Sequence, residues 1–299
     1  MKYILGLNGE KLTNKIDFIE EEIGMIRGEY LCITKQQYFG NPDFVKYFID
    51  YLSNVSSVYK DNDVYYRMAD LTSNQMNFLS GALNVFREKY YMDGYRGIRR
   101  AAKFQDELML ELSCFVNAWK LNKNLALLVP FVSRVDEIEL VRKILDELNY
   151  TGKLAIMAET PAACILIKKI IKKVKIDRIV VGLNDLSSFM LASNRHLSTY
   201  NVNNEASYEM VKLLINKIKS FNIEVILGGY VNENTAQFYE RLGIDKMIVH
   251  YHLLPKIFSE INKDKYTSHY DTINKKFKQY RDENEKILKG IEFLDDWKI

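Results

Sequence analysis

Eight short apolar runs recur along this chain, at 3–7, 23–31, 64–68, 125–132, 154–157, 178–183, 224–227 and 246–249, mostly without polar residues alternating within them. A strand apolar on both faces must be covered on both faces, which is the situation of parallel strands lying beneath crossover helices. The stretches between the runs are long enough for such helices, so strand and helix alternate from one end to the other. The expected fold is therefore α/β, a closed parallel (β/α)8 TIM barrel. A doubly wound open sheet would need a glycine-rich first turn, and residues 5–9 carry no G-x-G-x-x-G pattern. With 299 residues the chain holds one barrel of roughly 250 residues and a remainder.

No linker rich in Pro, Gly or Ser and no internal repeat divides the sequence, which predicts one barrel domain over 1–255 and a helical tail over 256–299. In the tail Ile273, Phe277, Tyr280, Ile287, Ile291 and Leu294 fall at steps of four and three, with Asn284 at the one polar seam position. That spacing predicts an amphipathic helix, docked on its own barrel or paired with a second copy in a homodimer.

Charge and composition then exclude whole classes. Forty-two Lys and Arg against 39 Asp and Glu leave a formal charge of only +3, too weak a field to indicate a nucleic-acid partner. The lysines of 167–175 lie opposite the apolar stripe Ile167, Ile170, Ile171 and Val174, which reads as the solvated face of a helix. Three widely spaced cysteines, Cys32, Cys114 and Cys164, fit neither a disulfide framework nor a zinc site and suit a reducing, cytoplasmic location. No signal h-region and no membrane span are expected. The four histidines have no metal spacing, so His196, His250, His252 and His269 are read as structural or surface residues.

Functional groups of a parallel barrel stand at the C-terminal ends of its strands, so the polar residues closing each apolar run are the ones to collect. They are Arg27, Arg67, Arg96, Glu159 and the pair Asn184-Asp185. Guanidinium forks bind phosphate and carboxylate bidentately. Two carboxylates from separate strands can share one magnesium ion, which keeps water or substrate oxygens as its other ligands. The mixture suits a small substrate bearing both phosphate and carboxylate, and phosphoryl transfer, whose transition state is stabilised by positioned cations, needs little more.

Five blocks, Tyr66-Arg67-Met68-Ala69-Asp70-Leu71-Thr72-Ser73-Asn74, Gly94-Tyr95-Arg96-Gly97-Ile98-Arg99, Val129-Pro130-Phe131-Val132, Met157-Ala158-Glu159-Thr160-Pro161 and Gly182-Leu183-Asn184-Asp185-Leu186, resemble in order and spacing the phosphoenolpyruvate-binding barrel of the PEP-utilising enzymes. The branch most resembled is that of the phosphoenolpyruvate synthases, with pyruvate, phosphate dikinase and enzyme I of the sugar phosphotransferase system as relatives. The resemblance spans roughly residues 1 to 250, and agreement over several blocks is far more specific than one short motif. It implies that Arg27, Arg67 and Arg96 bind the phosphate and carboxylate of phosphoenolpyruvate, that Asn184 and Arg195 complete the grip, and that Glu159 and Asp185 hold Mg2+. It implies as partners a swivelling domain whose histidine takes the phosphoryl group, leaving pyruvate enolate, and an ATP-grasp domain that loads that histidine. Thr267-Ser268-His269 has no glycine-rich lead and is read as a coincidental match to the phosphohistidine motif.

The departures from the family pattern are as specific as the matches. The cysteine that protonates the enolate is expected near 226–229, where this chain has Leu227, and an apolar side chain donates no proton. Tyr90-Tyr91 replaces Asn-Pro ahead of the Arg96 block, Leu183 replaces a small hydroxyl residue, and Gln75 replaces an acidic one. Three functions are thereby in play: a PEP/pyruvate-binding phosphotransferase subunit acting with a separate histidine protein, a carbon–carbon lyase or aldolase using pyruvate enolate, and a non-catalytic PEP-binding sensor.

Overall fold

A computed structural model of the chain describes residues 1–16, 19–20, 22–88, 94–194, 197–229, 233–244 and 246–258, with 275, 278, 279 and 282 besides. Eight strands run in chain order: β1 Lys2–Leu7, β2 Ile23–Arg27, β3 Val64–Arg67, β4 Leu125–Val129, β5 Leu154–Ala158, β6 Arg178–Gly182, β7 Glu224–Gly228 and β8 Lys246–His250. Each pairs in parallel with the next, and β8 returns to β1 through Lys2↔Lys246 to Gly6↔His250, closing the barrel. The helices are α1 Gly28–Lys35, α2 Pro42–Val58, α3 Ser73–Met76, α4 Gly97–Lys103, α5 Gln105–Leu121 and α6 Val135–Glu147. There follow α7 Pro161–Lys173, α8 Leu183–Leu191, α9 Glu205–Ile218, α10 Glu233–Glu240 and, after the 3-10 turn Tyr251–Leu253, α11 Leu254–Ile257.

One strand differs from its expected extent. The apolar run 23–31 is a strand only to Arg27, and the rest begins α1, where Leu31, Cys32 and Ile33 are buried. A buried helix is as continuously apolar as a buried strand over so few residues, so the boundary is invisible to hydropathy. The lysine-rich stretch behaves as its spacing predicts: Ile167, Ile170 and Val174 are buried and Lys168, Lys169, Lys172 and Lys173 are exposed. The tail seam residues Ile273, Phe277, Tyr280, Asn284, Ile287, Ile291 and Leu294 lie outside the described residues, as do Thr267-Ser268-His269.

Two apolar layers fill the molecule. Ile4, Met25, Tyr65, Ala126, Leu128, Ala155, Met157, Val180, Ile226 and Ile248, drawn from all eight strands, pack into the lumen. The alternate strand residues face outward into a larger core shared with the helices. Burying a Leu or Ile side chain contributes roughly 1.5–3 kcal/mol, so this double layer is the main source of stability. The N-terminal end of the lumen is closed by charge: Arg178 pairs with Glu22 and Glu224, and Lys246 reaches Glu224 at 2.6 Å and Glu22 at 3.2 Å. Arg178 also lies 4.1 Å over the Tyr65 ring. Among the described residues no helix is long and apolar enough to cross a membrane.

Candidate functional site

The opposite, C-terminal mouth of the barrel collects the residues that close the strands. Arg67 ends β3 buried, pairs with Glu29 in the first turn of α1, and donates to the Met157 sulfur at 3.3 Å. Arg96 stands at the N-cap of α4, held there because its segment is stitched to both neighbouring loops: Ser73 N–H donates to Tyr95 O, Gly97 N–H to Leu71 O and Ile98 N–H to Pro130 O. Its guanidinium forks onto Asp70, with Nε 3.1 Å from Oδ1 and Nη2 2.5 Å from Oδ2, and Nη1 reaches Asp185 at 3.3 Å. Burial works against the charge of both arginines. The carboxylates beside them, Glu29 and Asp70 for Arg67, Asp70 and Asp185 for Arg96, nevertheless hold both protonated far above the ordinary range.

Glu159 follows β5 and is 1% exposed, its Oε1 accepting the Phe131 N–H at 2.6 Å. Burial first, then the Asp185 and Asp70 charges, push its carboxyl up to about 8, while Arg67 and Arg96 pull the other way. Asn184 and Asp185 open α8 directly after β6, and the Tyr200 hydroxyl donates to the Asn184 backbone carbonyl at 3.2 Å. Arg27 ends β2 at the edge of this group: its Nε donates to Asn8 at 2.7 Å and its guanidinium covers the Tyr30 ring at 4.0 Å. Of the expected site residues, then, Arg67, Arg96, Glu159 and Asp185 form one electrostatic cluster with Arg27 and Asn184 at the same end, and Arg195 lies outside the described residues.

Further participants were not singled out by strand-end logic. Asp70 and Glu29 sit in the turn after β3 and in α1, and they neutralise and aim the arginines. Phe131 adopts φ 56°, a left-handed conformation that costs a bulky residue roughly 1–3 kcal/mol. That backbone turns its N–H onto Glu159 and lays its ring under Arg96 at 4.4 Å and Arg99 at 4.9 Å. Both Asp70 and Phe131 stand inside the blocks quoted above, the only sequence signal for them. His250 ends β8 and is 6% exposed, and His252 is half-buried beside it, so neither is a plain surface residue; His196 and His269 lie outside the described residues.

Leu227 proves to face away from this site, buried in the layer between barrel and helices. The lumen-facing position at that end of β7 is the next residue, Gly228, where an added Cβ would meet Val180 at 3.0 Å and Ile248 at 3.9 Å.

A model of the family described as "PEP-utilising enzyme, PEP-binding domain" matches residues 8–266. The chain belongs to this family. A probable phosphoenolpyruvate synthase of Pyrococcus horikoshii is 26% identical over 243 residues, which are 75% of this chain and 30% of that protein. A phosphoenolpyruvate-protein phosphotransferase of Buchnera aphidicola is 26% identical over 267 residues, 83% of this chain and 45% of that one. The chain of this family member thus spans less than half the length of either relative. Among solved structures, the crystal structure of the citrate synthase SbnG superposes with a TM-score of 0.51 at 12% identity over 94% of each chain. A HpcH/HpaI aldolase/citrate lyase family protein of Burkholderia cenocepacia gives a TM-score of 0.51 at 11% identity over 83% of this chain and 87% of its own. Likeness at that identity speaks to the barrel alone.

Proposed function

We propose that this barrel binds phosphoenolpyruvate and pyruvate and exchanges phosphoryl between phosphoenolpyruvate and a histidine on a separate protein. The observation that carries the reading is the convergence of Arg67 and Arg96 with Glu159 and Asp185 at the mouth, in a PEP-binding-domain chain. Arginines pre-aimed by Asp70 and Glu29 offer fixed forks to phosphate and carboxylate, with Arg27, Asn184 and Arg195 completing the grip.

Glu159 and Asp185 are the groups that would hold Mg2+. Their chemistry fits: hard oxygens, with the Glu159 carboxyl raised to about 8 by burial first and then by the Asp185 and Asp70 charges, and a divalent cation would offset both causes. When bound, Mg2+ supplies neutralisation of the phosphoryl and enolate oxygens. Arg67 and Arg96 orient the substrate and stabilise charge spread over the phosphoryl oxygens, and the lumen beneath, lined by Met157, Leu128 and Val180, excludes water. In this reading the chain works in the cytoplasm as a homodimer, with an ATP-grasp protein loading the phosphohistidine protein.

A thermal-shift titration with phosphoenolpyruvate, pyruvate and oxalate, each with and without Mg2+, tests the binding. Ligand at about a hundred times its Kd stabilises the fold by roughly 2.7 kcal/mol, a rise of several degrees in Tm. The rise is expected to require Mg2+ and to vanish in Arg96→Ala; no rise with any ligand at millimolar concentration refutes the reading.

A further inference from the structure

Phosphoryl departure from phosphoenolpyruvate breaks the P–O bond and leaves the electron pair on an enolate. Pyruvate appears only when C3 gains a proton, and the reverse reaction needs that proton removed. The lumen position at the end of β7 is Gly228, which has no side chain for either task. The carboxylates of the mouth are engaged: Glu29 with Arg67, Asp70 and Asp185 with Arg96, Glu159 with the Phe131 N–H, and Glu10 with the Asn8 N–H. His252 Nδ1 lies 3.4 Å from the Asn8 side-chain amide.

Glu29 Oε2 is likewise buried without a partner, but it belongs to a carboxylate ion-paired with Arg67, whereas among the described residues no hydrogen bond or ion pair engages the His250 ring. His250 stands at the C-terminal end of β8, the neighbour of β7, on a lumen-facing position one step above Ile248. The ring is nine-tenths buried, and its Nδ1 has no hydrogen-bond partner. It lies against β1 where only glycine leaves room, since a Cβ on Gly6 would sit 2.6 Å from that nitrogen. The ring plane is fixed by stacking on His252, with centroids 5.9 Å apart and 9° between planes. A buried polar atom left without a partner costs about 1–3 kcal/mol. Nδ1 is closed off against Gly6, and Nε2, which is not among the enclosed atoms, is the nitrogen that a molecule in the mouth can reach.

We propose, on the foregoing reading that the mouth binds pyruvate and phosphoenolpyruvate, that His250 moves the C3 proton between pyruvate and its enolate. Toward phosphoenolpyruvate, the neutral imidazole takes a proton from the pyruvate methyl group. The C3–H pair becomes the C2=C3 bond, and the carbonyl pair withdraws onto oxygen. Toward pyruvate the same electrons return, the imidazolium N–H breaks, and C3–H forms. The groups facing His250 are Arg27 from β2, Arg67 from β3 and, beyond its own strand, His252, itself held neutral by burial; burial first and then the two guanidinium charges keep His250 in the neutral, basic form. A bound anion offsets Arg27 and Arg67 and makes the protonated form accessible when the enolate has to be quenched.

The experiment is solvent exchange: the full chain with Mg2+ and pyruvate in D2O, following loss of the methyl proton signal by NMR, with oxalate affinity measured calorimetrically alongside. Wild type is expected to catalyse exchange, and His250→Gln to slow it about a hundredfold or more while binding oxalate within a few-fold of wild type. On 15N-histidine-labelled wild type, oxalate is expected to shift the His250 ring resonances, a readout independent of any variant. His250→Gln exchanging at the wild-type rate, unshifted His250 resonances on oxalate binding, or a wild type that binds oxalate without catalysing exchange would each overturn the assignment. A wild type that binds neither oxalate nor pyruvate refutes instead the reading on which it rests.

Discussion

Glu159 and Glu10 are both buried at the mouth, with carboxyls pushed up to about 8 and about 7, burial being the first cause in each. A carboxyl raised in the folded state stabilises the protein fully below the unfolded pKa of roughly 4.5, and that stability is lost as pH rises through the folded value. His250 and His252 act in the opposite sense: burial first, then Arg27, hold them below the imidazole range, so their contribution is present above pH ~6.5 and lost on acidification. The two effects oppose each other between pH ~4.5 and ~6.5. Above pH 7 the histidine contribution is constant and Glu159, with the end of the Glu10 titration, sets the slope, so denaturant midpoints in chelator should fall from pH 7 to 8. Glu159→Gln should flatten that fall, and a variant that still follows the wild-type slope would place the titration elsewhere.

At the scale of elements, the turn that carries Asp70 is anchored from behind by α5. Glu111, fully buried, accepts the Ala69 N–H at 2.8 Å and the Tyr66 and Tyr38 hydroxyls at 2.8 and 2.9 Å. Three hydrogen bonds to one carboxylate fix the loop after β3, and with it Asp70, one residue further on, onto which Arg96 forks. Glu111→Ala leaves those donors buried without a partner, and about 1–3 kcal/mol is expected for each that water does not reach. Urea denaturation should show a loss of several kcal/mol, with ligand affinity falling as well, and unchanged affinity would mean that Asp70 does not depend on this anchor. A second constraint links β6 to β5: a Cβ on Gly182 would lie 2.5 Å from the Glu159 Cβ and 2.6 Å from its Oε2, so Glu159 can stand at the mouth only because β6 ends in glycine.

Taken whole, the barrel separates its stabilising charges from its working ones. At the N-terminal end Arg178 and Lys246 are matched against Glu22 and Glu224. Burial opposes the Glu224 charge, but the two cations overcome it and hold that carboxyl below its usual range. Removing one member strands the others, so Arg178→Met is expected to cost about 3–5 kcal/mol. Oxalate affinity at a temperature where the variant is folded should be unchanged, because the plug and the mouth lie at opposite ends of the lumen. A large affinity loss would show that the two ends are coupled through the lumen layer.

The sequence by itself determined the eight strands, their parallel order and the groups at or just after their ends, Arg27, Arg67, Glu159 and Asp185, because burial on both faces and position at a strand end are local properties written in a few adjacent residues, whereas Arg96 lies in the β3–β4 connection and was legible only from its block. It could not show that β2 stops at Arg27, that Asp70 and Glu29 rather than solvent pair with the arginines, or that Leu227 faces the helices while Gly228 faces the lumen. Those depend on which side of a closed sheet each residue meets and on what the fold has brought against it from elsewhere in the chain, Glu29 from 38 residues before Arg67 and Asp70 from 26 before Arg96. His250 is the sharpest instance. In sequence it is one of two alternate histidines after an apolar run. Only closure of β8 onto β1 buries its ring over Gly6 beside Arg27 and Arg67, and burial is what makes an ordinary imidazole a group with an open nitrogen.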